Sequence, residues 1–182
     1  MTPGLDLQRQ LALWNALRAL ALLIVANATP WAASRLLGRA ERWPLDGGLC
    51  LGDGQRLFGE HKSWRGVLLG TLACAAVAPL LRLPVLLGAL FGLLALLGDA
   101  LSSAIKRRLG LPSGQSAPGL DQLPEATLPL FVLARSLGLE WASAAAVTAL
   151  FSLLDLLSLR IRQRTRRRAH RSIAPEEGQR HR

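Results

Sequence analysis

Residues 85–110 read VLLGALFGLLALLGDALSSAIKRRLG. This run supplies the about 20 apolar residues that a membrane-crossing helix needs, and Asp99 is its single charged residue before Lys106. It closes on three consecutive basic side chains, which is typical of a membrane helix that ends at the cytoplasmic surface. The run therefore predicts an integral membrane protein rather than a water-soluble domain.

Apolar blocks recur along the rest of the chain, which is 51% hydrophobic with a mean hydropathy of +0.29. They cover about residues 11–29, 64–81, 85–104, 126–139 and 141–159. The fourth block is shorter than a full crossing and predicts a tilted or half-inserted helix. The first is too long, and too weakly basic before it, for a signal peptide. We expect an all-α integral membrane protein, a bundle of about five transmembrane helices with two cytoplasmic polar loops.

Basic residues predict the orientation of this bundle. The net charge is +10, and 18 of the 22 lysines and arginines fall after the first block, after the third, or from residue 160 onward. Five crossings place all three regions on one side, so we expect a multi-pass protein of the cell (inner) membrane with the N-terminus outside. With four crossings, the basic loops would lie on both sides of the membrane. Arginines beside apolar runs fit lipid headgroups better than nucleic acid, which is not an expected partner.

Two segments follow from the same pattern. Residues 1–160 are predicted to form one transmembrane domain, and residues 161–182 a basic, disordered cytoplasmic tail that anchors on anionic lipid. A nucleic-acid arm is the alternative role for that tail. Cys50 and Cys74 form no CxxC pair, and we interpret both as small apolar residues.

The polar residues of the third block share one helical face. Asp99, Ser103 and Lys106 are spaced i, i+4 and i+7. A carboxylate inside a membrane helix is costly unless it faces a cavity, a metal or a cation. The alternative is a structural pairing of Asp99 with Ser103 or with Lys106.

A Gly/Pro-rich turn brings further carboxylates to the start of the fourth block. Asp121 and Glu125 lie there, downstream of the Lys-Arg-Arg run that contains Arg107. Hard oxygen ligands such as Asp99 and Asp121, beside cations, suit a nucleotide triphosphate with Mg²⁺. The alternative for Asp121 is a helix N-cap.

The first inner loop, about residues 45–66, is rich in glycine and in alternating acids and bases that could wrap a polar ligand. It has no Walker or GxGxxG pattern, which excludes the ordinary nucleotide-binding folds. His61 fits a surface residue better than a general base. Both lysines of the chain, Lys62 and Lys106, lie in the two inner loops, which hints that an ammonium group is required there.

Two further polar residues lie at the membrane edge. Asn27 needs a hydrogen-bond partner at the membrane edge, which predicts a contact with another polar group. The alternative is that Asn27 caps the end of its own helix before Pro30. Asp155 is expected to pair with Arg160 or with a neighbouring loop rather than to take part in catalysis.

Taken together, these residues resemble the CDP-archaeol synthase family, and the Gly-Asp, Ser, Lys-Arg and downstream Asp pattern is also similar to the broader phosphatidate cytidylyltransferases. The resemblance covers about residues 26–122, and the block Lys62-Ser63-Trp64-Arg65-Gly66 is specific. Its matching positions are Asn27, Pro30, residues 45–48 and 52–66, Gly98, Asp99, Ser103, and residues 105–110 and 120–122.

The resemblance implies a five-helix membrane enzyme that uses CTP and Mg²⁺ to convert a lipid phosphate, archaetidic- or phosphatidic-acid-like, into a CDP-lipid and pyrophosphate. The implied partners are CTP, the lipid phosphate and the bilayer, with a homodimer left open. The implied site residues are Lys106, Arg107 and Asp121 for catalysis, Asp99, Asp121 and Glu125 for metal, and Asn27, Asp46, Asp53, Lys62, Trp64, Arg65 and Ser103 for substrate.

Two departures from the family pattern matter. Relatives place a second acid three residues after the Asp matched by Asp121, where this chain has Pro124, and Glu125 one position later is the candidate substitute. The last helix lacks the Asn- and Tyr-containing motif of archaeal members, which suggests a divergent, bacterial branch. The main alternative is a non-catalytic protein that binds a lipid phosphate or CDP-lipid. Another lipid-phosphate enzyme or a transporter is less favoured, because phosphatase signatures and inverted repeats are absent from the sequence.

Overall fold

The computed structural model describes residues 3–38 and 43–173, and in these ranges the chain is helical with no named strand. Five α-helices form one bundle, which confirms the predicted fold class. The helices are α1 (Pro3–Leu36), α2 (Trp64–Val77), α3 (Val85–Arg108), α4 (Gln122–Val132) and α5 (Trp141–Ile173), with a 3-10 turn at Ala78–Leu81 that extends α2.

The outward faces of the helices are apolar. Leu13, Leu68 and Leu153 are each more than half exposed, although they lie inside α1, α2 and α5, and Leu86 at the start of α3 is more than half exposed as well. In water such a surface would be unstable, whereas in a bilayer it faces acyl chains. The small apolar residues Ala19, Ala26, Ala95, Ala126 and Ala144 are instead buried and let the helices pack closely.

Helix α3 is the centre of the bundle. Half of its membrane-spanning window is buried, against 22%, 17% and 22% for the windows of α1, α2 and α5. Close packing with α2 requires Gly88, because a Cβ there would lie 2.5 Å from the carbonyl oxygen of Cys74 and still closer to Ala78. Cys74 is buried and free, and Cys50 is exposed and free.

Helix α4 does not match the length of a membrane crossing. Four helices in the described part of the chain are long and apolar enough to cross, and α4, with its 11 residues, is not among them. Its path is nevertheless traced by two contacts to α1. Asn27 reaches Glu125 at the start of α4, and Asn15 donates to the carbonyl of Gly138 after it. Those asparagines are separated by about 18 Å along α1, so α4 and the turn at 133–138 together run through most of the apolar layer.

Two helices extend beyond their predicted ends. Helix α1 was predicted to stop near Thr29 but continues through Pro30 to Leu36, so Asn27 is not a helix cap. Helix α5 continues to Ile173, so the predicted disorder of the tail does not hold for residues 161–173. Residues 174–182 lie outside the described ranges.

Candidate functional site

The first inner loop folds around one carboxylate. Asp46 accepts hydrogen bonds from Arg56 at 2.5 Å, and from the backbone N–H groups of Gly48, Phe58 and Gly59 at 3.0–3.3 Å. Its side chain is fully buried. Burial by itself raises the pKa of Asp46, but the Arg56 guanidinium and the backbone donors outweigh it and lower the pKa from 3.8 to about 2. The hydrogen bonds of the Asp46 carboxylate therefore hold this loop in its conformation.

The end of α3 and the second inner loop, residues 109–121, dock on the first loop. The guanidinium of Arg108 donates to the Asp53 carboxylate and to the carbonyls of Gln55 and Arg56, at 3.0–3.2 Å. The close approach of Gly114 to the His61 ring joins the two loops at a second point. Together they close over the inner ends of the helices.

A cavity of about 400 Å³ lies beneath these loops. Its charged and polar lining includes Asn27, His61, Lys62, Ser63, Arg65, Asp99, Lys106, Gln115, Ser116, Asp121, Glu125 and Asp155. Its apolar lining includes Ala26, Pro30, Ala33, Val67, Leu96 and Leu159. Side chains from all five helices and both loops therefore meet in one space that is charged in one part and apolar in another.

Each lysine of the chain forms an ion pair with a carboxylate of this cavity. Lys62 Nζ lies 2.5 Å from Asp99 Oδ2, and Lys106 Nζ lies 2.6 Å from Asp121 Oδ1. The predicted alternatives within α3, Asp99 with Ser103 or with Lys106, are therefore wrong: the helix spacing was read correctly, but both carboxylates find partners on other elements.

Asp121 is at the N-cap position of α4, yet its side chain makes no capping bond. Oδ2 instead accepts from the Ala117 N–H at 2.8 Å and from Ser116 Oγ at 3.4 Å. Oδ1 is buried and has the Lys106 ammonium as its partner, without aligned hydrogen-bond geometry. The capping alternative is therefore wrong, because the carboxylate faces the cavity.

Glu125 is the most buried carboxylate of the cavity, with 6% of its surface exposed. Asn27 Nδ2 donates to Glu125 Oε2 at 3.3 Å, which supplies the partner that the sequence required for Asn27. Glu125 shares the cavity with Asp99, Asp121 and Asp155, and with Lys62 and Lys106. Four carboxyl groups and two ammonium groups therefore lie in one space.

The sequence did not anticipate the part played by Asp155 and Gln122. Gln122 is 1% exposed, donates to Asp155 Oδ2 at 2.7 Å and accepts from the Gly119 N–H at 2.7 Å. The expected pairing of Asp155 with Arg160 is not made; the partner is α4. The available signal was an acid within the apolar run of α5, which is costly in a membrane unless it faces polar groups.

Five predicted site residues do not line the cavity. Asp46 and Asp53 hold the first loop, and Trp64 is 56% exposed at the start of α2. Ser103 is buried within the bundle at 4% exposure. Arg107 is equally buried and donates to the carbonyl of Pro112 at 2.9 Å, so it stabilises the second loop.

The carboxylates suit a hard divalent cation by their chemistry. Asp99, Asp121 and Glu125 offer oxygen ligands to one cavity, and Asp121 Oδ1 is a buried acceptor. As they stand, no three His, Cys, Asp or Glu side chains of residues 3–38 and 43–173 are grouped closely enough to hold a metal. Two of these three carboxylates are paired with lysines: Asp99 with Lys62, and Asp121 with Lys106. The side chains are of the type that Mg²⁺ takes as ligands, but the described residues do not form a metal site in this arrangement.

A cavity lined by lysines and carboxylates inside a helical membrane bundle is typical of the class of membrane proteins that bind a phosphate-bearing ligand. Comparison with known proteins narrows this class. The profile of the CDP-archaeol synthase family, CarS-like, matches residues 79–161. The CDP-archaeol synthase of Aeropyrum pernix is 38% identical over 151 residues, which cover 78% of this chain and 83% of that protein.

Two further comparisons agree. The CDP-archaeol synthase of Thermococcus gammatolerans is 42% identical over 123 residues, covering 62% of this chain and 66%, just under two thirds, of that protein. A solved structure described as an intramembrane enzyme for archaeal membrane lipid biosynthesis superposes with a TM-score of 0.68 and 34% identity, over 79% of this chain and 91% of that chain. This chain belongs to the CDP-archaeol synthase family.

Proposed function

We propose that this chain transfers the cytidylyl group of CTP to the phosphate of a membrane lipid. An oxygen of the lipid phosphate attacks the α-phosphorus of CTP, the bond to the β-phosphate oxygen breaks, and CDP-lipid and pyrophosphate form. Family membership supports this activity class, and the relatives are named CDP-archaeol synthases.

The observation that carries the proposal is the mixed lining of the cavity. Lys62, Lys106 and Arg65 can meet phosphate charge, while Pro30 and Leu159 offer apolar contacts in the same space. Both substrates carry phosphate, and only the lipid carries acyl or alkyl chains. A cavity that joins the membrane helices to the polar loops suits the two together.

Roles follow from position. Lys62 and Lys106 would bind the triphosphate, and Arg65, whose guanidinium donates to the Gly38 carbonyl at 2.8 Å, would act at the rim. We assign Asp46, Asp53, Trp64, Ser103 and Arg107 positioning roles, because they support the loops and helices around the cavity rather than line it.

Asp99, Asp121 and Glu125 are the residues that would hold Mg²⁺. When bound, the cation would neutralise phosphate charge during the transfer. Glu125 takes the place of the acid that Pro124 removes: its carboxylate lies in the cavity one position later, held by Asn27.

The proposed orientation places both inner loops in the cytoplasm of a cell with the N-terminus outside. CTP is a cytosolic nucleotide, and the loops that close the cavity carry the basic residues of the positive-inside pattern.

The experiment that tests the function measures pyrophosphate release by the purified full-length protein with CTP and Mg²⁺. A panel of ether- and ester-linked lipid phosphates identifies the lipid class. Asp121→Asn should abolish release, and Asp6→Asn, at an exposed position of α1 far along the chain, should not change it. No release with any lipid, from folded protein that still binds a lipid phosphate, would favour the non-catalytic alternative.

A further inference from the structure

Helix α1 carries two tryptophan–arginine pairs of the same kind. The Cζ atom of Arg18 lies 5.8 Å from the centre of the Trp14 ring. The Cζ atom of Arg35 lies 4.6 Å from the centre of the Trp31 ring. The two tryptophans are 44% and 43% exposed. Because tryptophan and arginine side chains are typical of the boundary between the apolar layer and the headgroups, each pair indicates one such boundary.

The separation of the two pairs agrees with the thickness of a membrane. They are about 25 Å apart along α1, and the hydrocarbon core of a bilayer is about 30 Å thick. Trp31 lines the cavity, so its pair lies at the boundary on the side of the two inner loops. Arg18 therefore lies near the opposite boundary, in the leaflet that we call the far leaflet.

Arg18 has no carboxylate as a partner. In the part of the chain whose side chains the structure describes, no acid forms an ion pair with its guanidinium. Nη2 donates to Asn15 Oδ1, and Nε is buried without a hydrogen-bond partner. The acids Asp6 and Glu140, near the same ends of α1 and α5, are both exposed. A cation at the edge of the apolar layer needs an anion, and these residues supply none.

The guanidinium is held where α1 meets the turn at 133–138. Asn15 accepts from Arg18 and donates to the Gly138 carbonyl at 2.8 Å, so one amide fixes both. Arg135, exposed in the same turn, adds a second positive charge. Lipid headgroups supply phosphate at this depth, and a guanidinium binds phosphate through parallel N–H donors. We propose that Arg18 binds the phosphate group of a far-leaflet lipid, which thereby stabilises the contact between α1 and the turn.

The test counts lipids bound to the purified full-length protein by native mass spectrometry. The protein is titrated with dioleoyl phosphatidylglycerol and, separately, with a galactolipid that has the same acyl chains and no phosphate. We expect wild-type protein to bind at least one phosphatidylglycerol molecule about tenfold or more tightly than the galactolipid. Equal affinity for the two lipids would overturn the proposal, and this comparison needs no variant to fold.

Variants locate the phosphate-selective molecule. Arg18→Gln removes the charge but keeps an amide that can donate to Asn15, and it should weaken this binding by about tenfold or more. Arg9→Gln, the same change at an exposed position of the same helix, should leave the binding unchanged. Lys62→Met with Lys106→Met, in the cavity, should also leave it unchanged.

Three results with the variants would contradict the proposal. They are wild-type binding in Arg18→Gln, an equal loss in Arg9→Gln, and a loss confined to the cavity variant, which would place the lipid in the cavity. A second measurement uses wild-type protein and phosphatidylglycerol with a photoreactive headgroup. It should label the tryptic peptides 10–18 or 136–160, and labelling confined to the two inner loops would overturn the proposal. Neither measurement involves turnover, so the result does not depend on the proposed function.

Discussion

Gln122 and Asp155 lie 2.7 Å apart, amide nitrogen to carboxylate oxygen, and this contact ties α4 to α5. The other end of the same amide accepts from the Gly119 N–H, one turn before α4 begins. Because Asp121 lies between Gly119 and Gln122 in the chain, the position of that carboxylate in the cavity depends on a residue of the last helix.

Replacing Gln122 with Leu should lower both stability and turnover. The change leaves the Asp155 carboxylate and the Gly119 N–H without their partner, at about 1–3 kcal/mol for each unsatisfied group. The measurement is the thermal unfolding midpoint in detergent, with pyrophosphate release at a temperature where the variant is folded. Thr127→Ala is the control, since its hydroxyl bonds to a carbonyl of its own helix and holds no second element. Equal unfolding midpoints for the two variants would contradict this account of Gln122.

Gly98→Ala should disrupt the contact between α3 and α4. A Cβ at this position would lie 2.8 Å from the Cα of Glu125 and closer still to the carbonyl oxygen of Pro124, and both are backbone atoms that cannot move independently. We expect a loss of roughly 1–3 kcal/mol in unfolding free energy, with lower turnover because Asp99 and Glu125 move apart. Gly52→Ala, in open space, is the control and should unfold like wild type.

The contribution of Asp46 to stability should disappear only in strong acid. The pKa of Asp46 is lowered from 3.8 to about 2 in the folded chain, so its stabilisation is complete above pH 3.8 and is lost as the pH falls through about 2. The shift corresponds to about 2 kcal/mol. The difference in unfolding midpoint between wild type and Asp46→Asn should therefore stay constant from neutral pH to about pH 4, and close below it. Asp53→Asn, which removes a more exposed ion pair, should cost about 1 kcal/mol or less.

The two asparagines of α1 that contact the α4 region should have separable roles. Asn27→Leu removes the hydrogen bond to Glu125 and should lower kcat by about tenfold or more, because a proposed metal ligand loses its orientation. Asn15→Leu leaves the Gly138 carbonyl without a donor and should cost about 1–2 kcal/mol of stability while kcat of the folded protein is retained. If Asn15→Leu lowered kcat and Asn27→Leu lowered only stability, the site would not lie at the end of α1 that contains Asn27.

Much of the fold followed from the sequence, because the length of an apolar run and the thickness of a bilayer are directly related. The blocks at 64–81 and 85–104 correspond closely to α2 with its 3-10 turn and to α3. The end of α1 was misplaced because Pro30 was read as a stop, although a proline within a helix can be accommodated when neighbouring segments pack against it.

Part of the cavity lining was predicted from residue type, whereas the pairing of these residues was not. The cavity brings together the four expected residues Asp99, Lys106, Asp121 and Glu125. Spacing along one helix could not reveal that Lys62, from a distant loop, would form the ion pair with Asp99. Partners that are far apart in sequence depend on how α3 and α4 pack, which one helical period does not specify. The contact of Asp155 with Gln122 was not predicted for the same reason.

The short α4 also constrains how the protein can be made. The turn at 133–138 that follows its 11 residues makes its own backbone hydrogen bonds, and Asn15 of α1 donates to the Gly138 carbonyl at 2.8 Å, which lipid could not do. During synthesis α1 emerges first, yet the segment that needs it is translated about a hundred residues later. Because Asn15 and Gly138 lie 123 residues apart, this carbonyl gains its donor only after α1 and the turn that follows α4 have met in the bundle.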